Sequence, residues 1–207
     1  MKILICNVSY DGLMSQELMW FLIESGRSSY QTIPYPLSHR PTDISRNQAV
    51  AQARVIGAHL IFIDADCVPP RGAFCAIADK ITSEVCVAAL PYCASNGSIV
   101  VGEYDYKLKD VEGKTGWHSV RNCGTHCVGY NISCFENIKS PYYEYEYNQD
   151  KTSMLCSEDW ICHRKMREAG VPIFVNFSYW CGHLVTKNVE IGRSLTDFEK
   201  QLVMETL

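Results

Sequence analysis

The sequence predicts a three-layer α/β/α domain, Rossmann-like, built on a mostly parallel mixed sheet. Three observations carry that expectation. Short apolar runs alternate with segments whose apolar residues recur at helical spacing. The 207 residues suffice for one such domain with its own core. The clearest apolar run, His59-Leu60-Ile61-Phe62-Ile63, stops abruptly at Asp64-Ala65-Asp66, as a buried strand does at the ligand-binding edge of an open sheet.

The elements follow in order. Residues 2–8 (KILICNV) form a short apolar run consistent with a buried first strand. Leu18, Met19, Leu22 and Ile23 then recur at helical spacing up to Gly26, a helix stop. Tyr30 to Tyr35 reads as a second strand ended by prolines. Thr42 or Asp43 can cap a helix running through Ile44, Val50 and Val55 to Gly57. After the His59–Ile63 strand, Pro69 and Pro70 open a helix with Phe74, Ile77 and Ile81 on one face. Glu84 to Leu90 is a further apolar strand.

The second half is less regular. Strand candidates lie near 98–106 and 117–122, followed by the glycine-punctuated run Gly124 to Tyr130. A loop rich in tyrosine and glutamate spans Pro141 to Gln149. Ser157 can cap a helix reaching Gly170, with Cys162, Met166 and Ala169 on one face. Strands are expected at Pro172–Phe177 and Tyr179–Leu184, and an amphipathic helix from Ser194.

Composition excludes several classes. With 47% apolar and only 20% charged residues, disorder, collagen and coiled coil are ruled out as the main state. A net charge of -4 leaves no overall basic field for non-specific nucleic-acid binding, although a local basic cleft stays open. No stretch approaches the ~18 uninterrupted apolar residues of a membrane span, and the N-terminus reads as a strand rather than a leader. The 11 cysteines in such a chain therefore imply free thiols in a reducing, cytoplasmic compartment. No Cys-x-x-Cys pair occurs. The groupings Cys123/His126/Cys127, Cys156/Cys162/His163 and Cys181/His183 leave zinc open, while buried free cysteine is the simpler expectation.

Three constellations can carry chemistry. Asp64 and Asp66, two apart in an extended segment, point to one side, and hard oxygen ligands there suit Mg2+ or Mn2+ bound together with substrate phosphates. A solvated turn could carry the same pair, but it would not need an apolar strand aimed at it. Glu158-Asp159 opens a helix, where acids favour the macrodipole and where one carboxylate could serve as general base. His183 ends a late strand. As a ligand beside two aspartates it would favour Mn2+ over Mg2+.

Together these stretches resemble the GT-A glycosyltransferases, particularly short bacterial and phage-type proteins similar to glycosyltransferase family 2. Residues 44–70 (ISRNQAVAQARVIGAHLIFIDADCVPP) are similar to that group's helix, apolar strand and DxD. Residues 157–170 (SEDWICHRKMREAG) resemble its Glu-Asp motif, 123–136 its glycine-containing strand, and 179–183 (YWCGH) its closing strand with a histidine. The match in order covers about residues 1–185.

The resemblance implies a GT-A fold and a single domain over 1–207. Residues 1–110 would be the nucleotide-sugar-binding half, 111–190 the acceptor and catalytic half, and 191–207 a C-terminal helix. It implies sugar transfer from a nucleoside-diphosphate sugar, a UDP-sugar foremost, to an acceptor hydroxyl. Asp64, Asp66 and His183 would hold the cation. Asn7, Ser9, Tyr10 and Asp11 would lie by the nucleoside, and Arg46 and Asn47, with Ala65, near the nucleotide or diphosphate. Asp159 would be the base of an inverting reaction, with Glu158 as runner-up.

The Gln-x-x-Arg-Trp pattern of processive synthases is absent, which implies a single, non-processive transfer without a membrane. The acceptor is left open among a modified DNA base of a phage, a protein and a glycan precursor, and so is a homo-oligomer. Residues 141–149 are a candidate acceptor loop, since aromatic faces stack on sugars and bases. Two other readings stand beside this one. A non-catalytic nucleotide-sugar-binding module would use most of the same residues. A sugar nucleotidyltransferase would need a glycine-rich basic loop after the first strand, where CNVSYDGL has one glycine and no Lys or Arg.

Overall fold

The computed structural model describes residues 1–8, 16–37, 42–92, 111 and 113–183. Its centre is a seven-stranded sheet in the order β2-β1-β3-β7-β5-β10-β6. The strands are β1 (Lys2–Val8), β2 (Gln31–Leu37), β3 (His59–Asp64), β5 (Val87–Ala89), β6 (Trp117–Val120), β7 (Cys127–Tyr130) and β10 (Ile173–Asn176). Two-residue β4 (Cys67–Val68) pairs outside this sheet with β11 (Gly182–His183), and β8 (Glu146–Tyr147) pairs with β9 (Met154–Cys156). The helices are α1 (Gln16–Arg27), α2 (Thr42–Ile56), α3 (Ala73–Ser83) and α4 (Glu158–Glu168).

Strand alternation separates two cores. Leu4, Cys6, Leu60, Phe62, Val128 and Tyr130 pack with Ala49, Val50 and Ala53 of α2 and Cys162 and Met166 of α4. Their neighbours Ile3, Ile5, Ile61 and Ile63 pack with Leu18 and Phe21 of α1 and Phe74, Ile77 and Ile81 of α3. The result is the expected three-layer mixed α/β architecture, with the predicted helices on both faces.

Three departures from the sequence reading have physical causes. First, the prolines do not end β2, which runs to Leu37. The Gln31 N–H donates to the Met1 carbonyl, so every second amide, including positions 34 and 36, faces away from β1, on the side where no strand among the described residues pairs and no ladder bond is lost. Second, two strands run against the others. β7 is antiparallel to both β3 and β5, and β6 to β10. Third, the buried face of α1 is Leu18, Phe21 and Ser25, while Met19, Trp20 and Ile23 are exposed. The strand candidate at 98–106 and the helix from Ser194 lie outside the described residues.

The antiparallel β7 matters most for function. The parallel strands β1, β3 and β5 present their carboxyl ends along one sheet edge, where open α/β sheets take ligands. A reversed strand presents its amino end there, so residues just before Cys127 join that edge. No helix among the described residues is long and apolar enough to cross a membrane.

Candidate active site

Asp64 closes β3 and its backbone N–H donates to the His126 carbonyl at 2.9 Å, which ties the strand end to the entrance of β7. The side chain is about one-third open to solvent, and Asp66, two residues on, is half open. The chain then turns into β4, whose Cys67 lies opposite His183 in the antiparallel β4–β11 ladder. That ladder delivers the imidazole to the second aspartate: His183 Nε2 is 3.1 Å from Asp66 Oδ2. The hydrogen bond to Asp66 raises the His183 pKa above its ordinary value and lowers that of Asp66. Ala65 is the half-buried turn residue between the aspartates.

Arg46 organises the other side. It is buried in α2, with its guanidinium forked between two carboxylates: Nη2 lies 3.2 Å from Asp64 Oδ1, and Nη1 donates to Glu158 Oε1. Its carbon centre also sits 5.9 Å from the Phe62 ring and 5.8 Å from the Tyr143 ring. Burial works against that charge, but Asp64 and Glu158 outweigh it and hold the guanidinium above its ordinary pKa. Burial in turn pushes the Asp64 carboxyl up to about 6, against the pull of Arg46, and raises Glu158 likewise.

This pairing reshapes the expected ligand set. Asp66 and His183 come together, whereas Asp64 is drawn to Arg46. Asp64, Asp66 and His183 do not form a group with all ligand atoms mutually within 4.8 Å. The donors nonetheless fit a hard divalent cation. A carboxylate and an imidazole lie side by side and partly open to solvent, a donor pair that suits Mn2+ or Mg2+.

Glu158 and Asp159 open α4 at the same edge. Glu158 is committed to Arg46 and buried, whereas Asp159 is half-buried and accepts the Trp160 N–H at 2.8 Å and the Ser157 hydroxyl on Oδ1. Ser157 is the N-cap residue without a side-chain capping bond, because its hydroxyl goes to Asp159 instead.

Two expected ligand-binding residues have structural partners. Asn47 Nδ2 donates to the carbonyls of Asp43 (2.8 Å) and Tyr143 (2.7 Å), and Oδ1 accepts the N–H groups of Tyr142 and Tyr143. Both amide protons are thus spent, one within α2 and one on the Tyr142–Tyr143 segment. Asn7 Nδ2 donates to the Ile63 carbonyl at 3.2 Å, next to the aspartates. Ser9, Tyr10 and Asp11 lie outside the described residues. The candidate acceptor loop is corrected in part. Tyr142 and Tyr143 are core residues, while Tyr147 is half exposed. The core beside Ala49, Val50 and Ala53 of α2 takes the first two rings.

Of two further residues at the site, Tyr92 was not singled out from sequence, and His126 only as a zinc-ligand candidate. Tyr92 follows β5 at the same sheet edge. It stacks on His183 with ring centres 5.3 Å apart, and meets His126 edge-on at 4.0 Å. Its place after the Glu84–Leu90 apolar run was the available signal. His126 is buried with no hydrogen-bond partner on either ring nitrogen, and burial pushes its pKa down to about 3. The sequence offered it only as a zinc-ligand candidate beside Cys123 and Cys127, and it reaches the edge through the reversal of β7.

The strand order and the helices on both faces define the class of architecture, a GT-A-type α/β domain with a mixed sheet. Among solved structures, the A197 protein from STIV superposes with a TM-score of 0.66 at 17% identity, over 95% of this chain and 100% of that one. GalNAc-T7, solved with UDP, GalNAc and Mn2+, superposes with a TM-score of 0.58 at 10% identity, over 90% of this chain and 44% of that one. The sequence matches no family model and no curated protein. At these identities the likeness is one of fold.

Proposed function

We propose that this protein is a metal-dependent, non-processive glycosyltransferase that moves a sugar from a nucleoside-diphosphate sugar, a UDP-sugar foremost, to an acceptor hydroxyl. The observation that carries the reading is the juxtaposition of Asp66 and His183 by the β4–β11 ladder, beside Asp64 at the end of β3. The shared fold with GalNAc-T7, whose crystals hold UDP and Mn2+, supports it.

Asp66 and His183 would hold Mn2+ or Mg2+, which when bound offsets the charge growing on the nucleoside-diphosphate leaving group. Asp64 keeps one oxygen engaged with the Arg46 guanidinium, and the other would serve the donor. Asp159, oriented by Ser157 and Trp160, would take the proton from the acceptor hydroxyl in an inverting transfer. Glu158 is the poorer base because Arg46 occupies it. Residues 1–110 would form the donor half and 111–190 the acceptor half. The acceptor falls among a modified DNA base, a protein and a glycan precursor.

A screen of nucleoside-diphosphate sugars with Mn2+ or Mg2+, read as nucleotide release, tests this. Release that vanishes with excess EDTA and in Asp66→Ala is the expected result. Undiminished release under both conditions overturns the metal-dependent mechanism. Metal-dependent UDP binding without turnover for any donor would make the chain a nucleotide-sugar-binding module instead.

A further inference from the structure

Three thiols from three separate segments meet close to the Asp66–His183 pair. Cys67 opens β4, Cys127 opens β7, and Cys181 immediately precedes β11. Their Sγ atoms all lie within 4.8 Å of one another, and all three residues are buried. Among the described residues this is the one group of three His, Cys, Asp or Glu ligand atoms so compact. The proposed transfer uses none of them. All three are free thiols rather than parts of a disulfide.

We propose that Cys67, Cys127 and Cys181 form a site for a thiophilic d10 cation, zinc(II) or copper(I), distinct from the carboxylate–imidazole site. Metal–thiolate bonds of about 2.3 Å place the sulfurs of one coordination sphere roughly 4 Å apart. The observed grouping therefore needs only a small contraction. The donor set is sulfur alone, which selects soft cations and rejects the Mg2+ or Mn2+ suited to Asp66. Each coordinating thiol gives up its proton, so loading releases up to three protons per cation.

The position gives the site a structural consequence. Cys67 follows Asp66 directly, Cys127 follows His126, and Cys181 lies two residues before His183. The β4–β11 ladder that joins Asp66 to His183 is only two residues long on each side. A cation on the three sulfurs would bind β4, β7 and β11 together and fix the spacing of that pair. The sequence spacing concealed this grouping, since each thiol comes from a different element.

The test is independent of the transferase reading. The full chain carrying Asp66→Ala, which weakens the hard-ligand site, is reduced with a phosphine and stripped with chelator. It is then titrated with Zn2+ and with Cu+ in competition with chromophoric chelators. Uptake of one equivalent of either cation is expected, falling at least 10-fold in affinity in Cys127→Ala and in Cys181→Ala. X-ray absorption on the loaded wild-type chain needs no cysteine variant and should find three sulfurs in the first shell, alone on Cu+ and with one light-atom ligand on Zn2+. The proposal is overturned by failure of both cations to bind stoichiometrically. It is equally overturned by uptake unchanged in folded cysteine variants, by a first shell of mostly oxygen or nitrogen, or by a disulfide joining two of the three in the protein as isolated.

Discussion

Arg46 connects α2, β3 and α4 through two carboxylates, and its removal would strand both. Glu158 is buried, so Arg46→Met leaves an uncompensated charge in a site of low polarity. A loss of about 3 kcal/mol is expected from the urea midpoint. Arg46→Lys should recover little of it, because one ammonium cannot fork between Asp64 and Glu158 as the guanidinium does. Equal stability of Arg46→Lys and wild type would show that the bidentate geometry is unimportant. His163 provides a second residue-scale prediction. It is fully buried, its Nε2 lies 2.8 Å from the Tyr130 hydroxyl, and burial pushes its pKa down from 6.5 to about 4. The unfolded chain therefore takes up that proton first as pH falls. The stability linked to His163 is complete above pH ~6.5 and is lost progressively toward pH ~4, by roughly 3 kcal/mol. Denaturation across this window should show a flatter pH slope in His163→Phe; an unchanged slope refutes the assignment.

At the scale of elements, β7 runs unusually close to α3. A Cβ on Gly129 would lie 2.3 Å from Ile77 Cγ2, with Ile81 Cγ2 and Cδ1 at 3.1 and 3.2 Å. Both isoleucines are fully buried, so neither can yield freely. Gly129→Ala should cost about 1–3 kcal/mol by overpacking. In Gly129→Ala/Ile77→Ala the two costs should add to less than their sum, since the second change vacates the clashing methyl. Strict additivity in that double-mutant cycle would refute the close approach. The same strand shows why part of the site was illegible. Asp64, Asp66 and the Glu158-Asp159 pair stood out because each sits where one element ends or begins, which local pattern reveals. Tyr92 did not, and His126 did so only as a neighbour of Cys123 and Cys127, since strand direction and pairing across the sheet bring both to the edge. Likewise Asn47 looked like a ligand-binding residue beside Arg46. Its amide instead anchors a loop almost a hundred residues away, a partner that no local spacing can announce.

On the scale of the whole molecule, the layers were readable because strand alternation and helical spacing are local properties repeated along the chain. The candidate site was legible as one strand ending in acids. What was not readable is the coupling between segments distant in sequence: Arg46 with Glu158, β4 with β11, Cys67 with Cys127 and Cys181. Those couplings converge on the end of the sheet where the donor is proposed to bind, and the ladder supporting His183 is the shortest pairing there. A ligand bridging Asp66 and His183 should therefore stabilise the entire fold. Binding only to the folded state adds about 2.7 kcal/mol at a concentration 100 times Kd. For a domain of this size each kcal/mol raises Tm by roughly 2–4 °C, so UDP with Mn2+ should raise it by about 5–10 °C. The gain should disappear with EDTA and in His183→Ala, and UDP without metal should give little of it. An equal rise from UDP alone would mean that the nucleotide is held without Asp66 and His183. The metal role assigned to that pair would then be wrong, while the sheet edge would stand as a nucleotide site.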